Sequence, residues 1–132
     1  MYHPNWSQGP VRNSFDLRVE QASNVSFEWR DWSSSPYVTG PSFVIRDGHL
    51  TVPGAAPLLL PLEAWVHFEI KAALGKSARD TWDLVVTLPG QAAQLFPALP
   101  FRRDAFKKLT WIGFSSNATT NTSFYLDNFI VE

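Results

Sequence analysis

The chain has no cysteine, and that absence removes disulfide bonds, thiolate chemistry and cysteine-based zinc sites together. It leaves the redox compartment open. Charged residues are only 17% of the 132 residues, the formal net charge is −1, and lysine and arginine are scattered. Phosphate binding rests on clustered basic charge, so nucleic acid is a poor partner and neutral ligands fit better. No apolar run reaches bilayer-crossing length, and no membrane partner is expected. Residues 1–14, MYHPNWSQGPVRNS, lack the apolar core of a signal peptide. The expectation is a module excised from a larger secreted, cell-surface or periplasmic protein, with its leader cut away and Met1 added.

Other absences narrow the chemistry. His3, His49 and His67 lie far apart without zinc spacing, and no Gly-x-Ser-x-Gly elbow marks a nucleophile. Catalytic residues are therefore expected to be absent. No stretch of about 12 residues, the length a stable helix needs, keeps a helical period. There is no internal repeat and no low-complexity segment. Four Asn-x-Ser/Thr sequons, at Asn5, Asn24, Asn117 and Asn121, matter only in a eukaryotic secretory host.

What is present is period-two alternation. In residues 65–88, Val66, Phe68, Ile70 and Ala72 alternate with Trp65, His67, Glu69 and Lys71, and Trp82, Leu84, Val86 and Leu88 repeat the pattern. Each run reads as a strand with one face in a core. The short polar GKSARD between them turns the chain back, giving a central antiparallel hairpin. Phe15, Leu17 and Val19 mark a first strand. Val25, Phe27 and Trp29 mark a second, with Glu28, Arg30 and Trp32 on its other face, and the two are expected to pair as a hairpin. Residues 33–41 collect Ser, Pro and Gly and read as a loop holding Tyr37. Asp47-Gly48 fits a type I′ turn between SFVIR and HLTV, because glycine accepts positive φ without strain.

The three prolines of PGAAPLLLPLEA point to an edge or connecting segment, since proline cannot donate to a sheet ladder. QAAQLFPALPF reads as a short strand interrupted by Pro97 and Pro100. RRDAFKKL reads as one helical turn with Phe106 and Leu109 inward. TWIGFSS and SFYLDNFIVE are the last strands, joined by the polar NATTNT. Short strands at this spacing predict an all-β fold, a two-sheet antiparallel β-sandwich, as a single domain over residues 1–132.

WVHFEIKAALGKSARDTWDLVVTLPGQ, LTWIGFSS and FYLDNFIVE together resemble the second half of a concanavalin A-like, laminin G-type jelly-roll domain. In that family a Trp opens a strand, a hairpin follows, then an aliphatic-Gly-Phe strand, and an aromatic-rich Asp-Asn strand closes the sheet. The resemblance covers roughly residues 11–132. It implies a lectin-like accessory module of a bacterial carbohydrate-active protein, which binds a polysaccharide or oligosaccharide or packs on the catalytic domain of the parent. The Glu-x-Asp-x-x-Glu motif of hydrolytic members is missing, and full domains of the family are usually longer. In FEWRDW, Glu28 and Asp31 fall on opposite faces. Similar families use an Asp near the C-terminus for structural calcium, which singles out Asp127, opposite in parity to Leu126. One carboxylate supplies few of the six to eight oxygens calcium takes.

Sugar sites stack a pyranose C–H face on an aromatic ring and hydrogen-bond its hydroxyls with polar side chains. Trp29, Trp82, Phe27, Phe68 and Phe15 fall on core faces. Trp32, Tyr37, Trp65 and Trp6 fall in loops, at strand ends or on polar faces and are the candidate stacking rings. Glu28, Arg30, His67 and Glu69 share polar-face parity and are candidates for a hydrogen-bonding floor, the bland reading being a salt-bridge ladder. Glu28 and Glu69 are the one pair of carboxylates on plausible neighbouring wet faces that glycoside hydrolysis could use. The leading reading is a non-catalytic carbohydrate-binding module; a structural accessory domain or a small glycoside hydrolase is the alternative.

Overall fold

A computed structural model describes residues 4–33, 35–75, 80–103, 105–119 and 122–132. His3, the connection at 76–79 within GKSARD, and residues 120–121 of NATTNT lie outside the described residues. The strands are β1 (Gly9–Val19), β2 (Asn24–Asp31), β3 (Val38–Arg46), β4 (His49–Thr51), β5 (Leu58–Leu59), β6 (Trp65–Leu74), β7 (Thr81–Thr87), β8 (Gln94–Pro100), β9 (Trp111–Ser116) and β10 (Phe124–Val131). They form two five-stranded antiparallel sheets, ordered β10-β1-β6-β7-β8 and β5-β4-β3-β2-β9. No α-helix occurs among the described residues. The chain is an all-β sandwich.

The alternation places side chains as the sequence implies. Val66, Phe68, Ile70, Trp82, Leu84 and Val86 are buried, and β6 pairs with β7 from His67↔Thr87 to Ala72↔Trp82. Phe15, Phe27, Phe68, Trp29 and Trp82 are also buried. Phe15 of one sheet lies 5.2 Å from Phe27 of the other, and Phe43 lies 5.2 Å from Phe68. Rings from both layers therefore interlock in one core, each such pair adding about 0.5–1.5 kcal/mol beyond its burial. A polar bond crosses the same core. Trp29 Nε1 donates to Asn13 Oδ1 at 3.2 Å, while Asn13 Nδ2 donates to the Ile130 carbonyl at 2.9 Å.

The β3–β4 hairpin turns at Asp47 (φ 51) and Gly48 (φ 74), both in the left-handed region a type I′ turn needs. The proline-rich segment yields only β5, an edge strand. Two expectations fail. β1 and β2 do not form a hairpin, since β1 pairs with β10 and β6 while β2 pairs with β3 and β9. The turn between them carries the chain from one sheet to the other, a choice alternation cannot report because both strands have a core face. The described part of RRDAFKKL forms no helical turn, although Phe106 and Leu109 are fully buried. Its backbone bonds go to β3 instead: Arg102 N donates to the Gly40 carbonyl at 3.2 Å and Arg103 N to the Thr39 carbonyl at 3.0 Å.

A candidate ligand-binding face

The outer face of the β5-β4-β3-β2-β9 sheet is organised around Glu28 and Arg30. Two residues apart on β2, they point the same way, opposite to the buried Phe27 and Trp29. Arg30 donates to Glu28 Oε1 through Nε at 3.0 Å and Nη2 at 2.6 Å. Thr39 Oγ1 donates to Glu28 Oε2 at 3.3 Å, and Arg102 Nη1 approaches the same oxygen at 3.7 Å. The guanidinium carbon of Arg30 lies 4.1 Å from the Tyr37 ring centroid and 3.9 Å from that of Trp111. A cation held between two ring faces is attracted by both quadrupoles.

Trp111 reaches this position because of Gly113. Strand residues two apart share a face, and Arg30↔Trp111 and Glu28↔Gly113 are cross-strand pairs of β2 and β9. A Cβ on residue 113 would sit 2.1 Å from Cη2 of Trp111, so the indole lies over the glycine. Trp111 is 6% exposed, though it belongs to the outer face. Beyond the end of β2, Trp32 N donates to Thr110 Oγ1 at 2.9 Å, and the Trp32 ring, 50% exposed, lies 4.6 Å from Tyr37. The row Trp111, Arg30, Tyr37, Trp32 therefore runs from sheet to loop.

Two grooves flank the row and meet at Glu28 and Arg102. One, of about 300 Å³, is lined by Ser26, Arg30, Ser42, Thr51 and Asn117 among others. The second, of about 620 Å³, is lined by Tyr37, Thr39, Arg103 and Ala105 among others. Hydroxyls, an amide, guanidinium groups and aromatic faces thus border one continuous surface. Among the described residues lining either groove, Glu28 is the sole carboxylate.

Asp31, the inward-facing last residue of β2, fixes the loops that complete this face. Burial works to raise its pKa. Hydrogen bonds from Ser33 Oγ and N, and from the backbone N–H groups of Lys108 and Lys107, outweigh burial and hold it below the usual carboxylate range. One carboxylate therefore ties the chain after β2 to the segment before β9.

Of the sequence-level candidates, Glu28, Arg30, Trp32 and Tyr37 come together here. His67 and Trp65 do not. Both are on β6, whose outer face is the opposite side of the sandwich. The expected floor of Glu28, Arg30, His67 and Glu69 is therefore split between two faces, because shared parity says nothing about which sheet a strand joins. Glu28 and Glu69 likewise cannot flank one bond. His67 Nδ1 lies 2.6 Å from Asp16 Oδ1, and Glu69 accepts from Arg12, a ladder across β1 and β6. Hydrogen bonding from Arg12 holds the Glu69 carboxyl below its ordinary range. Trp65 is 45% exposed beside Arg18, its cross-strand partner. Trp6 exchanges backbone hydrogen bonds with Leu109 and packs against the core.

Asp127 is exposed on edge strand β10, and its Oδ1 accepts from its neighbour Asn128 N. Its cross-strand partner Asp16 accepts from Asn128 Nδ2 and is bonded to His67. Amide nitrogen and imidazole already occupy the oxygens nearest Asp127, and among the described residues no group of three or more His, Asp or Glu side chains can hold a metal. Among the described residues Asp127 and Asp16 are the carboxylates paired at this point of the sheet, and calcium takes six to eight oxygens. Trp111, Thr39 and Arg102 were not singled out from the sequence; the readable signal was Trp-Ile-Gly, a large ring and an empty position on one strand face.

No protein-family model matches the chain, and no curated protein matches it.

Proposed function

We propose that the chain is a non-catalytic carbohydrate-binding module that holds a polysaccharide on the outer face of the β5-β4-β3-β2-β9 sheet. The observation that carries this reading is the exposed Trp32 ring packed on Tyr37, which itself lines a groove with Thr39, Arg102 and Arg103. A pyranose ring stacks on Trp32, and Thr39, Arg102 and Arg103 meet its hydroxyls. Glu28 and Arg30 orient the surface, each largely engaged by the other. Such a module works as a concanavalin A-like appendage of a secreted carbohydrate-active protein, keeping a catalytic neighbour near its substrate.

Among the described residues lining the grooves Glu28 is the one carboxylate, whereas glycoside hydrolysis uses two carboxyls about 5–9.5 Å apart. Affinity electrophoresis through a panel of polysaccharides tests the proposal. Retention on at least one, reduced about tenfold or more in Trp32→Ala with unchanged melting, is expected. Absence of retention across a broad panel would refute it. Release of reducing sugar that vanishes in Glu28→Gln would replace binding by catalysis.

A second reading has its own observation. The opposite outer face exposes Trp65, Tyr125, Ile130 and Leu95. An accessory domain that packs on a catalytic neighbour would use this face, and the two roles are compatible because they occupy different sides.

A further inference from the structure

The charge around the two grooves is uneven. Among the described lining residues, Arg30, Arg102 and Arg103 stand against the carboxylate of Glu28, three positive charges to one negative. Arg30 is committed to Glu28 and to two ring faces. Arg102 reaches Glu28 only at 3.7 Å, with its side chain 61% exposed. Arg103 is exposed and makes no ion pair among the described residues. Neither arginine floats on a free loop. Their backbone N–H groups are bonded to the Gly40 and Thr39 carbonyls of β3, and Phe101 and Phe106, at 6% and 0% exposure, anchor the segment on both sides.

From this we infer that the ligand of this face is an acidic glycan, one whose pyranose rings carry carboxylate groups, held by Arg102 and Arg103 while a neighbouring ring stacks on Trp32. The inference rests on the carbohydrate-binding reading and adds the substrate class. A guanidinium pair whose own carboxylate is saturated by another arginine retains donors for a second oxyanion. The planar fork matches a carboxylate with two parallel N–H···O bonds. An excess of positive charge among the described lining residues of a cleft concentrates the opposite sign even on a chain whose net charge is −1. The chemistry shared by the possible ligands is an oxyanion on a sugar ring. A uronate supplies the planar form, and a sulfated sugar the tetrahedral one.

The test uses the intact chain in affinity electrophoresis against polygalacturonate, the same polymer with its carboxyls reduced, a sulfated dextran, and a panel of neutral polysaccharides. Polygalacturonate should be retained about tenfold more strongly than its reduced form, with retention falling as salt rises. Arg103→Gln and Arg102→Gln should each remove most of that preference while leaving melting unchanged, and Trp32→Ala should weaken both polymers. Equal retention of the acidic and reduced polymers overturns the inference and leaves the carbohydrate-binding reading standing. Retention of sulfated dextran alone overturns the carboxylate assignment. An acid preference that survives in the chain carrying both Arg102→Gln and Arg103→Gln overturns the role given to these arginines. No retention on any polymer, neutral or acidic, overturns both.

Discussion

Arg30 has two charge partners of different kinds: a carboxylate that takes two of its N–H groups and two ring faces that cover its plane. Only a flat guanidinium satisfies both. Gly113→Ala removes the space beneath one of those rings. The Trp111 indole must move, Arg30 loses a face, and polysaccharide retention is expected to fall several-fold, with a stability cost of about 1–3 kcal/mol from crowding. Titration with the retained polysaccharide and urea unfolding measure the two effects; unchanged values for both would show that the stack does not matter. At this scale the sequence was partly legible. Trp32, Tyr37, Arg30 and Glu28 could be named from parity and loop position, whereas Trp111 could not, because its role depends on a ring lying over an empty neighbour. Arg102 was hidden for another reason: it acts from a segment whose only sequence mark is its own charge.

The element that completes the face is the segment from Phe101 to Leu109. It is irregular, yet Phe101, Phe106 and Leu109 are buried, and Asp31 accepts from its backbone. Gly40 accommodates it. A Cβ there would lie 2.5 Å from the Phe106 ring. Phe106→Ala is expected to destabilise the fold by about 3–5 kcal/mol. Gly40→Ala should cost about 1–3 kcal/mol, and because the segment carries Arg102 and Arg103 it should also weaken ligand binding. Chemical unfolding followed by titration of the surviving fold separates the two. The inward Phe106 and Leu109 could be read from the sequence, but the helical turn was the wrong frame, since backbone bonds to β3 satisfy these groups without one. The β3–β4 hairpin was legible because its turn chemistry is local. The pairing of β1 was not, because its partners, Val131 to Phe124 on β10 and Leu74 to Trp65 on β6, are distant in sequence.

At the scale of the molecule, the sandwich separates two wet faces by one aromatic core, and its acid stability reports several carboxylates at once. Asp16, Asp31 and Glu69 all have pKa values lowered by folding: in Asp16 and Asp31 hydrogen bonds outweigh burial, and in Glu69 the bond from Arg12 leads. A group whose folded pKa lies below its unfolded one binds more protons when unfolded. Its contribution is complete above the unfolded value, about 4, and is lost as pH falls through the folded value. Urea midpoints should therefore hold from about pH 7 to 5 and fall below about pH 4. Asp31→Asn should lower stability at neutral pH by about 1–3 kcal/mol and flatten the acid limb. A midpoint that rose on acidification would contradict these assignments. That the fold is a two-sheet antiparallel sandwich was legible from alternation and turn spacing. The assignment of His67 and Glu28 to opposite sides was not, because period two fixes a face within a strand and leaves the choice of sheet to long-range pairing.

The claim that one particular face binds glycan is tested most directly by the indole N–H resonances of the six tryptophans in a two-dimensional 1H–15N spectrum, recorded while the retained oligosaccharide is added. The account predicts that the Trp32 and Trp111 signals move with the ligand while those of Trp6, Trp29, Trp65 and Trp82 stay in place. Movement of Trp65 with Trp32 and Trp111 unmoved would put the ligand on the opposite face and contradict it.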